Sequence, residues 1–130
     1  MQEIRFKVSK LIRDKIPEIR SKVGMRFVFK TLSNQEYKHA LKEKLIEEAK
    51  EVLDEEDNLI EELADALEVI NYIAKAYNID FAEIEKVREA KKQEKGGFND
   101  KIYCTEMTIE EDNPVVHELL QRPDKYPQIK

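Results

Sequence analysis

A chain of 130 residues with 39% charged side chains, three glycines, four prolines and no tryptophan suits one helical domain with solvated faces, not a β-sandwich. A net charge of −5 argues against broad DNA or RNA binding, although an acidic protein still takes a polyanion when a divalent cation intervenes. The single cysteine, Cys104, excludes an internal disulfide and a cysteine-based metal cluster.

In chain order, Ser9 is a candidate cap for a first helical segment, where Leu11, Ile12, Ile16, Ile19 and Val23 recur at helical spacing. Pro17 argues against one uninterrupted helix, and Gly24 is the expected stop. Residues 25–33 read as a strand from their β-branched and aromatic content. Ser33 or Asn34, with Glu36 close behind, starts a long helix expected to run to about Glu56. Leu41, Leu45, Ala49 and Val52 mark its apolar stripe, widened by Ile46 and Leu53. A short acidic connector follows, then a helix from about Leu59 to Tyr77 that is apolar almost all round and belongs deep in a bundle. Asn78 stops it, Asp80 caps the next helix, from about Phe81 to Lys95, and Gly96 and Gly97 end that one. Residues 101–107 alternate in character and are expected to pair as a strand with the segment near Phe27 to Phe29, with Cys104 half-buried there. The proline-containing tail from Thr108 reads as an irregular arm with a short helix near Val115 to Leu120. The expected fold is therefore all-α with a small two-stranded β element, divided into a helical domain over residues 1–107 and an arm over residues 108–130. No signal peptide and no span of roughly 20 apolar residues is present, so a soluble, cytoplasmic protein without membrane contact is expected.

The chemistry lies in the acids of the two long helices. Glu48 and Glu51 are three residues apart on the first, and Glu62 and Asp65 are three apart on the second, so each pair shares a face. A short connector makes the helices antiparallel neighbours and brings the pairs together. Glu48 lies beside the Leu45–Val52 stripe, while Glu62 and Asp65 lie on the apolar side of their helix, away from the polar strip of Glu61 and Glu68. Half-buried, clustered carboxylates are costly without a partner. Four oxygen donors without histidine or cysteine suit a hard cation, Mg²⁺ or Mn²⁺. Acid pairs at this spacing also occur on solvated helices with no function.

The spaced pattern EExxE followed by ExxD resembles the MazG-like nucleotide pyrophosphohydrolases, which include the phosphoribosyl-ATP pyrophosphatases. The segments KLIRDKIPEI, EYKHALKEKLIEEAKEV, EELADALEVI and KKQEKGGFNDKIY extend the resemblance over about Lys10 to Tyr103. The resemblance implies a helical fold, assembly as a homodimer or homotetramer, and Mg²⁺-dependent cleavage of a nucleoside triphosphate between its α- and β-phosphates. It implies metal ligation by Glu48, Glu51, Glu62 and Asp65, and a catalytic role for Glu47 and Glu48, with Glu47 positioning or deprotonating the attacking water.

Two basic clusters, Lys10, Arg13 and Lys15, and Lys91, Lys92 and Lys95, are candidates for holding phosphates, against the plain reading of surface charges balancing acids. Arg13 is the leading one, with Lys15, Lys91 and Lys95 beside it; Asp14 is placed to orient Arg13. The KGGF segment lacks the strand-to-helix context of a phosphate loop. It reads as a helix terminus, or as a loop that closes over a nucleotide with Phe98 near the base. Tyr72 shares a face with Asp65 but reads as core, and His39 and His117 have no partners suggesting catalysis. The substrate reading is a noncanonical nucleoside triphosphate removed in house-cleaning. The rivals are phosphoribosyl-ATP hydrolysis and a non-catalytic helical dimerisation module.

Overall fold

The computed structural model describes residues 2–130, which form five helices: α1 (Ile16–Ser21), α2 (Asn34–Asp54), α3 (Leu59–Ala76), α4 (Phe81–Lys95) and α5 (Val116–Leu120). The fold is all-α. The contacts divide the chain into a first unit running to Glu94 and a second, Lys95–Lys130. No described helix is long and apolar enough to cross a membrane.

Local chemistry sets the helix ends. Pro17 opens α1, because its fixed φ and missing N–H suit a first turn. Ser9 caps nothing; it sits at φ 48°, outside the helix. Gly24 ends α1 at φ +87°, a conformation that costs an L side chain but not glycine. Gly24 N–H then reaches Ser21 O at 3.0 Å and Met25 N–H reaches Arg20 O at 3.1 Å, which satisfies carbonyls the helix leaves open. Ser33 is the cap of α2. Its hydroxyl accepts from Glu36 N–H at 3.2 Å, and Glu36 Oε1 accepts from Ser33 N–H at 3.2 Å, a reciprocal capping box. Asn78, at φ 55°, stops α3 as Gly24 stops α1: Ile79 N–H donates to Ala74 O at 2.8 Å and Asn78 N–H to Lys75 O at 3.1 Å. At the start of α4 the Asp80 carboxylate accepts from Ala82 N–H at 3.0 Å.

Packing concentrates in the antiparallel pair α2 and α3, joined by residues 55–58. The seam positions of α2 are Leu41, Leu45, Glu48 and Val52, alternating four and three residues apart. Those of α3 are Glu62, Ala66, Val69, Ile73 and Ala76, with Asp65 and Ile70 at the margin. Leu41, Val69, Ala74 and Glu48 are the buried residues among those described. Ala49, expected in the stripe, is exposed, and Glu48 occupies the seam in its place.

Further expectations are corrected. Neither residues 25–33 nor residues 101–107 form a strand, and no strand is present among the described residues. β-branched and aromatic content favours a pleated, half-buried surface, but a strand exists only where a ladder partner supplies hydrogen bonds. Val28, Phe29, Ile102 and Tyr103 are instead exposed, and Cys104 is exposed with its thiol donating to Glu106 O at 3.2 Å. Finally, α3 is not enclosed all round. Ile60, Leu63 and Leu67 face outward, and Tyr72 is exposed beneath Lys75, because α2 covers one side of α3 only.

Leu41→Ala is expected to destabilise the hairpin by about 2–5 kcal/mol, as for other buried leucines. Ser33→Ala is expected to cost about 1 kcal/mol through the lost cap. Leu53→Ala, at an exposed position, is expected to stay within about 0.5 kcal/mol. Urea unfolding of the three variants measures this order.

Candidate metal centre in the helical hairpin

The α2–α3 seam brings three carboxylates to one point. Glu48, Glu62 and Asp65 each present an oxygen, and these oxygens lie within 4.8 Å of one another. Glu48 is the most enclosed at 8% exposure; Glu62 and Asp65 are half-buried. The antiparallel hairpin produces this focus, because Glu48 is one turn before Val52 on α2 and the two α3 acids sit near the start of the returning helix. Glu51, one turn beyond Glu48, is exposed and lies outside the group, although its charge reaches Glu62.

The electrostatics at Glu62 are strained. Burial raises the pKa of its carboxyl, and the like charges of Glu51, Asp65, Glu48 and Glu55 raise it further. Three carboxylates with no histidine or cysteine among them form a hard donor set, suited to Mg²⁺ or Mn²⁺ and unsuited to soft ions.

The opposite situation holds at Glu47. Lys10 Nζ lies 2.8 Å from its Oε1 and Lys44 Nζ 3.2 Å from its Oε2. Burial pushes the Glu47 carboxyl up, but hydrogen bonds from Lys10 and Lys44 and the charges of both lysines outweigh it and hold the pKa below the ordinary value of 4.5. The hydrogen bond to Glu47 raises Lys10 in turn, against a smaller lowering by burial. Lys44, 17% exposed, also stands 3.6 Å from Glu48 and ties the two acids together.

Arg13 reaches the other side of the centre. Its guanidinium donates to Asp65 Oδ1 at 2.8 Å and lies 3.5 Å from Glu68 Oε2. The extended segment ahead of α1 places it there, with Leu11 and Ile12 half-buried between the anchoring residues Lys10 and Arg13.

Of the residues singled out from the sequence, Glu47, Glu48, Glu62, Asp65 and Arg13 therefore surround one locus. Lys15 stands at the cap of α1 and Lys91 on α4, both exposed, and neither forms an ion pair with the three acids. Lys95 and Phe98 are exposed residues of the second unit. Two participants escaped the sequence reading. Lys44 carried a readable signal, since it precedes Glu47 and Glu48 by three and four residues on one helix. Glu68 carried none, because its partner Arg13 is distant in sequence.

Comparison with family models, curated proteins and solved structures finds no match.

The two anomalous carboxyls have opposite signs in a pH titration of stability. The lowered pKa of Glu47 contributes stability that is present above pH 4.5 and is lost as pH falls through the folded-state value. The raised pKa of Glu62 makes its ionised form a cost that appears as pH rises past 4.5 and through the folded-state value. Without divalent cations at pH 7, Glu62→Gln is expected to raise the melting temperature and Glu47→Gln to lower it. Melting curves at pH 7 and pH 3.5 test this, with both differences shrinking at the acidic value.

Proposed function

We propose that this protein is a Mg²⁺-dependent nucleoside triphosphate pyrophosphohydrolase that releases a nucleoside monophosphate and pyrophosphate. The observation that carries the reading is the convergence of Glu48, Glu62 and Asp65 within 4.8 Å in a partly buried helical seam. The resemblance of the EExxE and ExxD segments to the MazG-like enzymes supports it. Noncanonical nucleotides are the proposed substrates, in a cytoplasmic house-cleaning role; phosphoribosyl-ATP is the alternative.

Glu48, Glu62 and Asp65 would hold the ion, with Glu51 as the fourth ligand that the sequence resemblance implies. Mg²⁺ (or Mn²⁺) held by these residues would supply charge neutralisation of the acids and phosphate oxygens and a more acidic water. Glu47, kept ionised by Lys10 and Lys44, is fitted to orient the attacking water by accepting its hydrogen bond. Its lowered pKa makes it a weak general base. Attack at the α-phosphorus breaks the bond to the bridging oxygen, which leaves with the β- and γ-phosphates. Arg13 stands beside Asp65 as a guanidinium for the departing charge. Lys15 and Lys91, both exposed in the first unit, are further cations for the phosphates.

Assembly as a homodimer or homotetramer belongs to the same reading. The outward Ile60 and Leu63 of α3 form an apolar patch of the kind that oligomers cover.

Pyrophosphate is expected from at least one member of a panel of ordinary, damaged and phosphoribosyl-linked triphosphates, and only with Mg²⁺ or Mn²⁺. Ion-pair chromatography of the products decides both the cleaved bond and the substrate. Metal at about 100 times its dissociation constant is expected to stabilise the fold by about 2.7 kcal/mol. Glu48→Gln and Asp65→Asn should abolish that gain and the activity together. Absence of turnover with no cation effect on melting would instead identify a non-catalytic helical module.

A further inference from the structure

Beside the acidic centre, on the flank of α3 that α2 does not cover, lies a cleft of about 470 Å³. That volume lies within the usual span of small-molecule sites, about 300–1,000 Å³. Arg13, Ala64, Leu67, Glu68, Asn71 and Phe81 line it. Ala64, Leu67, Glu68 and Asn71 follow the three- and four-residue spacing of one helix face. Arg13 closes one side from the N-terminal segment, and Phe81, the first residue of α4, supplies an aromatic wall.

We infer that this cleft is the base-recognition subsite of the same centre, that it takes a nucleobase bearing an exocyclic amino group, and that Asn71 determines its specificity. The inference rests on the pyrophosphohydrolase reading.

Continuity with the acids is the first argument. Arg13 lines the cleft and also donates to Asp65 at 2.8 Å, so one side chain joins the cleft to the carboxylate group. Length is the second. Asn71 lies six residues beyond Asp65, about 9 Å along the helix at about 1.5 Å per residue. A nucleoside whose phosphate is held at Asp65 has this order of reach to the far edge of its base. Chemistry is the third. Leu67, Ala64 and Phe81 give apolar walls for the flat faces of a heterocycle. The Asn71 amide offers both donors and an acceptor, and an ionised Glu68 only accepts. The 3.5 Å approach of Arg13 to Glu68 leaves that carboxylate with acceptor capacity. Cytosine and adenine present an amino donor next to a ring acceptor and satisfy both side chains. Uracil and thymine place a carbonyl where the amino group stands, which meets the Glu68 oxygens as acceptor against acceptor.

The test compares pyrophosphate release from CTP, ATP, UTP and TTP by the wild type, Asn71→Leu and Asn71→Ala, with Mg²⁺ present. The wild type is expected to favour CTP or ATP over UTP and TTP by about tenfold or more in kcat/KM, the scale of one unpaired polar group. Both variants should narrow that ratio, mainly through KM for the favoured base, while keeping the Mg²⁺-induced rise in melting temperature. A wild-type profile flat across bases, or a ratio unchanged in the folded, metal-responsive variants, overturns the subsite and leaves the pyrophosphohydrolase reading standing. Wild type that releases no pyrophosphate from these four, nor from damaged or phosphoribosyl-linked triphosphates, overturns both.

Discussion

The architecture turns on placing ionised oxygen in a hydrophobic seam. In an ordinary helical hairpin the position held by Glu48 would carry leucine or alanine, as Leu45 and Leu41 show one and two turns earlier. Substituting a carboxylate there, and facing it with Glu62 and Asp65, gives up apolar burial and adds like-charge repulsion. The caps and stops offset part of this loss: the Ser33–Glu36 box at one end of α2 and the left-handed Asn78 at the end of α3 stabilise helices whose middle is electrostatically unfavourable. The scaffold is thus most regular where it has no chemistry and least favourable where the acids meet.

Around that focus the cations are distributed rather than concentrated. Lys10 and Lys44 serve Glu47, and Arg13 serves Asp65 and Glu68. These pairs are partly solvated, and such pairs are worth at most about 1 kcal/mol each. Their value lies in geometry: they fasten an extended N-terminal segment, residues 10–13, along the rim of the hairpin. Because the anchoring is weak, a strongly charged ligand can exchange these contacts at low cost. Arg13 is then available to whichever anion presents the stronger field.

Much of this was legible from the residue order. The helix pattern, the capping serine, the asparagine stop and the pairing of acids across a short connector all depend on neighbours within a few positions. Glu62 and Asp65 stood out because apolar residues surround them in sequence. The two strand misreadings share one cause. Residues 25–33 and 101–107 have the composition of strands, but composition contains no information about whether a partner arrives to hydrogen-bond them. The central position of Glu48 in the seam, in place of Ala49, depends on the rotation of α2 against α3, which a single-helix wheel does not contain. The pairing of Arg13 with Asp65 and the cleft closed by Phe81 join segments far apart along the chain, and no local pattern announces them.

The connector between the long helices, residues 55–58, has a consequence for what the chain can tolerate. Asn58 N–H is held by the Glu55 side chain at 3.1 Å, so α3 starts at a defined phase relative to the end of α2. One inserted or deleted residue there would break this bridge, and with it the contact that sets where α3 begins and so which way Glu62 and Asp65 face. Loops are ordinarily where chains absorb changes of length. In this hairpin the loop behaves as the key of a lock, strict both in its count and in the one side chain that turns it.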